Sequence, residues 1–510
     1  MQEFIQAWQP TGALVSAFLP EIILAAGALL VLALDVWCSK KRPAVGFTAT
    51  CGVLLVAALF SVAQLVCPHL AALASGTDGS IFGMTAPFFA SFALFFIGCA
   101  FLTTLVARTV RERAEFSAPI TNHLILVATA AAAALLKSTN FIAFFVLLET
   151  LTVTLYALVG SYRTSVASLE AGVKYLIAGG VSGALMLFGV VLLYGASALA
   201  GAPVAWAPDA LGYGSVFALL NQDPTNAVAL AGVALTLCGV LFKFGVFPMQ
   251  FWIPDTYQGA PTHVTFFLAT LSKGVGFGMT GVFLVVFAPV FDVLFPVLLV
   301  LTLISMVYAN VTALGQRKVK RLLGLSGVSH ASYMMLGMLA FGKILQGGVS
   351  ASSPDSMLFA LALYLVFYVL SLYPIFSVMA RVPAGAGDEA LQDVNDFRGL
   401  AKRSPVLAGA VVSGLASLAG IPPTVGFIAK LGILWIVFSA GLYVPAAIML
   451  ACVVASVYYY FVWIRSAFAT EEADSAPALS CPGVASRISL VFFTALTVLG
   501  CLVYFAAIAL

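Results

Sequence analysis

Six titratable side chains stand where an apolar chain has least reason to put them. Residues 241–273, LFKFGVFPMQFWIPDTYQGAPTHVTFFLATLSK, carry Lys243 near their start and Lys273 at their end. Glu149 lies in FFVLLETLTVTLYAL, Lys174 in LEAGVKYLIAGG, His330 in SGVSHASYMMLG and Lys430 in GIPPTVGFIAK. A charge at the centre of a bilayer costs about 2.5–3.5 kcal/mol on insertion scales, so such residues face a wet interior and mark ion or proton paths. Each also has a plainer account. Glu149 can be a neutral acid bonded to a neighbouring helix. Lys174 stands four residues after Glu170, the spacing of a helical ion pair. Lys243 and Lys430 flank helix breaks and can bond freed carbonyls, and His330 can be a core histidine bonded near Ser326 and Ser329. Lys273 lies too deep in its run to reach water easily. Glu21 and Asp35, near the ends of the first run, read as interfacial. Taken together, one acid, four lysines and a histidine are hard to explain as separate packing accidents. Buried amines exchange protons when nearby charge changes, so a water-bridged series of them is a proton relay.

The elements that must hold these groups are membrane helices. The chain has 510 residues, 62% hydrophobic and 8% charged, with mean hydropathy +1.10. A soluble domain carries about 25% charged residues. Apolar runs of about 20 residues recur, which predicts an all-α polytopic membrane protein and excludes a β-barrel. Fourteen spans are expected, near 14–36, 44–66, 83–107, 119–137, 140–161, 170–195, 226–247, 263–287, 290–313, 322–342, 356–380, 405–438, 442–464 and 488–509. The first apolar run lacks a basic leader and reads as a retained helix. No stretch between runs is long enough for a soluble catalytic domain. The net charge of +3 includes no basic patch suited to nucleic acid. Eight scattered cysteines without a CxxC spacing indicate neither a metal site nor a disulfide framework. The GxGxxG spacing at Gly276–Gly281 lies inside an apolar span and is no dinucleotide loop, and neither a phosphate loop nor an iron–sulfur cysteine cluster occurs.

Basic residues give the orientation. Loops after odd-numbered spans hold 17 lysines and arginines, from Lys40 to Arg487, while the opposite loops hold only Lys137 and Lys343. Both termini are therefore expected outside, with the basic loops in the cytoplasm. Two spans are broken, because proline removes a donor and clashes with the preceding turn. Pro248 follows Lys243, whereas Pro422 and Pro423 precede Lys430, and this reversed order suggests inverted five-helix repeats. The single membrane domain then divides into helices 1–3 (14–107), a first repeat (119–287), a second repeat (290–464) and a last helix (488–509). The glycine-rich GVSGALMLFG reads as close helix packing.

Six segments in order resemble one known family. They are LPEIILAAGALLVLALD, LLETLTVTLYAL, EAGVKYLIAGGVSGALMLFGVVLLYG, FKFGVFPMQFWIPDTYQGAPTHVTFFLATLSK, KRLLGLSGVSHASYMMLG and RGLAKRSPVLAGAVVSGLASLAGIPPTVGFIAK. Together they resemble subunit N of NADH–quinone oxidoreductase, respiratory complex I, an antiporter-like proton-translocating subunit. The resemblance implies discontinuous helices 7 and 12, a gating pair at Glu149 and Lys243, a helix-6 lysine at Lys174 beside Glu170, a central lysine at Lys273, a histidine region at His330 and an outlet lysine at Lys430. It places the chain in a bacterial inner membrane beside an antiporter-like M subunit and small K- and J-type subunits. NADH, flavin, iron–sulfur clusters and quinone would be handled by partner subunits, leaving this chain redox-inactive. Subunit M differs by a glutamate at the helix-12 position, and subunit L by a long lateral helix. Mrp-type or standalone cation/proton antiporters are the alternative, and a purely structural membrane-arm subunit is a third reading. One departure stands out: His263 occupies the place where the resemblance leads one to expect the second proline of APTPV.

Overall fold

The computed structural model describes residues 17–38, 44–66, 86–111, 119–199, 211–347, 354–384, 388–469, 479 and 484–509. Residues 14–16 and 83–85 of the expected first and third spans, and Lys40, Lys41, Arg42 and Arg113 of the basic loops, lie outside them. The described chain is helical, with no β-strand and only two isolated bridges, Asn140–Gly212 and Lys318–Asp393.

The helices are α1 (Leu19–Cys38), α2 (Ala44–Val66), α3 (Ala86–Arg111), α4 (Pro119–Leu136), α5 (Phe141–Val159), α6 (Val166–Leu199), α7 (Tyr213–Gln222), α8 (Ala227–Phe244), α9 (Trp252–Gly259) and α10 (Thr262–Val286). They continue as α11 (Phe291–Ala313), α12 (Val319–Gly347), α13 (Pro354–Met379), α14 (Leu400–Arg403), α15 (Pro405–Ala419), α16 (Val425–Ser439), α17 (Tyr443–Ala467) and α18 (Val484–Ala509). Among the described residues, 11 helices are long and apolar enough to cross a membrane, and Thr121–Leu136, Pro405–Ala419, Val425–Ser439 and Ser486–Gly500 are shorter apolar helices.

The bundle has an inside and an outside. All of the apolar window of α12 is buried and 83% of that in α10, against 28% in α2 and 33% in the span ending at Ala313. The outward faces carry large apolar side chains such as Leu29, Phe188, Val297 and Val454, all more than half exposed. Water would oppose such a surface and lipid would not. Along α6, Gly189 meets the backbone of α8 so closely that a Cβ there would lie 2.6 Å from the Gly232 carbonyl oxygen. This is the close approach expected of GVSGALMLFG.

Both expected breaks are present. Helix α8 ends at Gly245 (φ +81°) and α15 at Gly420 (φ +81°), a left-handed conformation that glycine adopts without a Cβ penalty. In each, the next amide also turns back: Val246 N–H donates to Leu241 O (2.9 Å) and Ile421 N–H to Ala416 O (2.9 Å). Three residues after each glycine comes a cis proline, Pro248 or Pro423. The two breaks therefore correspond in the same chain direction. An inverted repeat keeps its N-to-C order, so the reversed lysine–proline order is not what relates them.

Glu21 and Asp35, expected at the interface, lie in the first and last turns of α1 and are buried against neighbouring helices (5% and 2% exposed). Glu21 pairs with Lys137 of the α4–α5 turn at 2.7 Å. Asp35 accepts a hydrogen bond from Asn122 of α4 at 3.3 Å. Helix α4 packs along α1 and supplies partners that the sequence of α1 alone does not show.

Candidate functional site

Glu149 and Lys243 begin the site. Glu149 is half-buried on α5, where its Oε1 lies against Gly183 of α6 so closely that a Cβ there would be 2.5 Å away. Lys243 is 1% exposed, in the last turn of α8. Its Nζ lies 3.4 Å from Thr152 Oγ1, one turn along α5 from Glu149. The two charges interact electrostatically without a contact as short as 4 Å.

The break explains why this lysine is free to face inward. Ending a helix leaves carbonyls without amide partners, and buried ones need substitutes. Here the Trp252 indole N–H donates to Phe242 O (3.1 Å) and the Ser272 hydroxyl to Lys243 O (3.2 Å). The ammonium is left over from that work.

Ser272 leads directly to Lys273. Residues Leu268–Ser272 form a π-helical turn inside α10, and Lys273 opens the α-helix that follows. Such a turn inserts an extra residue and re-aims the side chains after it. Lys273 is 2% exposed, and its Nζ has no hydrogen-bond partner among the described residues. It occupies a gap between glycines. A Cβ on Gly327 of α12 would lie 3.1 Å from Lys273 Cε and 3.3 Å from the Tyr368 hydroxyl, and one on Gly245 would lie 4.0 Å from Nζ.

His330 stands three residues beyond Gly327, 5% exposed. Its Nδ1 bonds the Tyr364 hydroxyl at 2.8 Å, and its ring lies 5.0 Å from that of Tyr368 and 5.7 Å from that of Tyr333. The neighbouring serines are engaged elsewhere, Ser329 with Asn310 (2.8 Å) and Ser326 with Tyr460 (2.5 Å). Both Lys273 and Lys430 act electrostatically on His330. Lys430 Nζ sits 5.8 Å from the centre of the Tyr333 ring. It donates to Leu418 O (2.7 Å) and Ala419 O (2.9 Å), the carbonyls freed by the second break. The capping role open to both break lysines on sequence grounds is thus filled by Lys430, while other residues fill it for Lys243.

Glu149, Lys243, Lys273, His330 and Lys430 follow one another through electrostatic interactions and the bond between Ser272, next to Lys273, and Lys243 O. The structure sets Lys174 apart. That side chain is about half exposed on the outer face of α6, paired with Glu170 (2.7 Å) and with Asp255 of α9 (3.1 Å). Arg321 of α12 also pairs with Asp255 and bonds Gln258. Burial of Asp255 opposes its charge, but Lys174 and Arg321 hold its carboxyl below the usual carboxylate range. The prolines Pro248, Pro422 and Pro423 shape the breaks and, among the described residues, make no hydrogen bond to the titratable groups. Sequence reasoning passed over Thr152, Tyr333, Tyr364 and Tyr368. The i,i+4 spacing of Tyr364 and Tyr368 in an apolar helix was the available signal.

Residues 138–457, which contain every member of the series, match the family model described as NADH:quinone oxidoreductase/Mrp antiporter, TM. The chain belongs to this family. Among its relatives, NADH-quinone oxidoreductase subunit N 1 of Opitutus terrae is 39% identical over 93% of this chain and 92% of its own length. Subunit N of Geobacter metallireducens is 33% identical over 93% of each. The resemblance to subunit N is thereby borne out. A chain of respiratory complex I from Thermus thermophilus has a similar structure, with TM-score 0.71 and 26% identity over 94% of this chain and 97% of that one. A chain of the Mrp complex from Dietzia superposes with TM-score 0.72 over 96% and 95%, but at 20% identity it shares the fold alone.

Proposed function

We propose that this chain is a proton-translocating membrane-arm subunit of an NADH-quinone oxidoreductase. Quinone reduction elsewhere in the complex would drive H⁺ along Glu149, Lys243, Lys273, His330 and Lys430. One observation carries this reading: in a chain 39% identical to a subunit N, three lysines at most 4% exposed stand inside the bundle, none with a carboxylate within 4 Å among the described residues. Each such amine is costly as a charge and cheap as a base, so its protonation follows the charge of its neighbours.

Glu149 and Lys243 are the coupling pair. The ammonium now rests on Thr152, one helical turn along α5, or about 5 Å, from the acid. A shift over that distance makes or breaks an ion pair, and the change in field lowers or raises the proton affinity of Lys273. His330 and its tyrosines carry the proton towards Lys430, which releases it at the far side. Lys174 and Glu170 stand outside this route and would extend the relay only towards a neighbouring subunit.

The finer architecture follows the same reading. Eleven long helices, α4, α18 and the broken pair α15–α16 make fourteen crossings. The matching left-handed glycine caps of the two breaks support two five-helix repeats. The basic ends mark the cytoplasm, with both termini outside, in a bacterial inner membrane. Redox cofactors and quinone belong to partner subunits, among them M-, K- and J-type membrane subunits.

The test is proton pumping by complexes reconstituted with Lys243→Ala or Glu149→Gln. Pumping is expected to fall roughly tenfold or more, equivalent to about 1.4 kcal/mol on the barrier. Normal pumping by either variant overturns the reading.

A further inference from the structure

A second group of buried charge takes no part in the series from Glu149 to Lys430. It sits at the N-terminal end of α10, the helix that carries Lys273. His263 and Lys320 are each 1% exposed, and the Glu389 side chain is 16% exposed. Glu389, in the connection between α13 and α14, accepts from the Thr262 hydroxyl (2.7 Å) and from the Thr262 N–H (3.1 Å) through Oε2. The same oxygen lies 3.5 Å from Lys320 Nζ of α12. Lys320 also donates to Ala260 O at 2.8 Å. His263 follows Thr262, which Glu389 holds, and both Glu389 and Lys320 of α12 act on the buried imidazole electrostatically. The neighbouring Asp388 is occupied by Ser165 of the α5–α6 turn at 3.1 Å.

We propose that Glu389, His263 and Lys320 form a proton-loading site that supplies Lys273. The proposal rests on the function argued above and deepens it. Lys320 and Glu389 balance one another, so the resting site is neutral apart from the histidine. Glu389 is the member that reaches the surface, and it takes the proton from water onto its carboxylate. The imidazole accepts that proton on one nitrogen and releases another from the second, which leaves the carboxylate ionised again and His263 neutral. The amine of Lys273 receives it. Ten residues of helix separate His263 from Lys273, about 15 Å. Direct transfer does not cover that span, so water or hydroxyls along α10 complete it. Burial and Lys320 oppose the extra positive charge while Glu389 favours it, so the loaded state is held only briefly. The site lies at the same end of the bundle as Arg317, Lys318 and Arg321, the end read as cytoplasmic.

The test uses the assembled complex in proteoliposomes, with Glu389→Ala, Glu389→Gln, His263→Gln and Lys273→Ala. Assembly is checked by native electrophoresis. Glu389→Gln keeps an acceptor for Thr262 but cannot carry a proton, so it reports on transfer even if the alanine variant assembles poorly. Both glutamate variants and His263→Gln are expected to slow pumping about tenfold and to flatten its dependence on cytoplasmic pH. Formate or imidazole added on that side is expected to restore Glu389→Ala. Parental rates and pH profiles in Glu389→Gln and His263→Gln, with Lys273→Ala inactive, overturn this proposal alone. Slow but unrescued Glu389→Ala, with Glu389→Gln at the parental rate, shows a structural latch and also overturns it. Normal pumping by Lys273→Ala overturns the wider function.

Discussion

A charge inside an apolar bundle persists only when something nearby answers it, and here the answers differ residue by residue. Lys430 is held by two carbonyls, Lys243 by one hydroxyl, and Lys273 by no hydrogen bond among the described residues. That ordering suits a proton carrier best at Lys273, the centre of the series. The Glu21–Lys137 pair is the contrasting case, two opposite charges answering each other, with no tyrosine or histidine bonded to either among the described residues. Lys137→Met leaves Glu21 buried and alone. It is expected to cost about 3–5 kcal/mol, whereas Lys137→Met with Glu21→Gln recovers most of that. Thermal unfolding of the purified complex reads both, and equal losses in single and double variants contradict the pairing.

At the scale of elements, the broken helices depend on two glycines. Alanine at a left-handed position costs about 1–2 kcal/mol from the backbone alone. Gly245→Ala also drives a Cβ to 2.2 Å from Ile253 Cδ1, and Gly420→Ala to 2.8 Å from Lys430 Cδ. Gly441 (φ +72°) has nothing within 4 Å and isolates the backbone part. Gly245→Ala and Gly420→Ala are therefore expected to lower the melting temperature more than Gly441→Ala. Gly420→Ala is also expected to slow pumping, because Lys430 must move. The lysine that bonds freed carbonyls was identifiable as a class from sequence, since both break lysines lie near prolines. Which of the two does so was not, because the partner carbonyls and their competitors, Trp252 and Ser272, lie 9 to 29 residues away.

For the whole molecule, the question is whether the chain works alone. The half-exposed Glu170–Lys174–Asp255–Arg321 network leaves paired charge at the end of the bundle read as cytoplasmic, a surface that a neighbouring protein subunit can cover. The chain expressed by itself in vesicles is expected to show no Na⁺-dependent proton flux. Such a flux at rates comparable to the complex favours the standalone antiporter instead.

Composition and run length by themselves determined a helical membrane protein, because twenty apolar residues admit few other structures. Prolines marked the breaks, and the rarity of charge in apolar runs singled out all six candidates. Only the tertiary structure separated Lys174, on the outer face, from the five interior groups. It alone buried Glu21 and Asp35, ringed His330 with tyrosines, and gathered Glu389 and Lys320 at His263. The physical reason is the same throughout. A helix's own sequence states which residues are costly to bury, but what compensates them comes from other helices, at separations that no local pattern records.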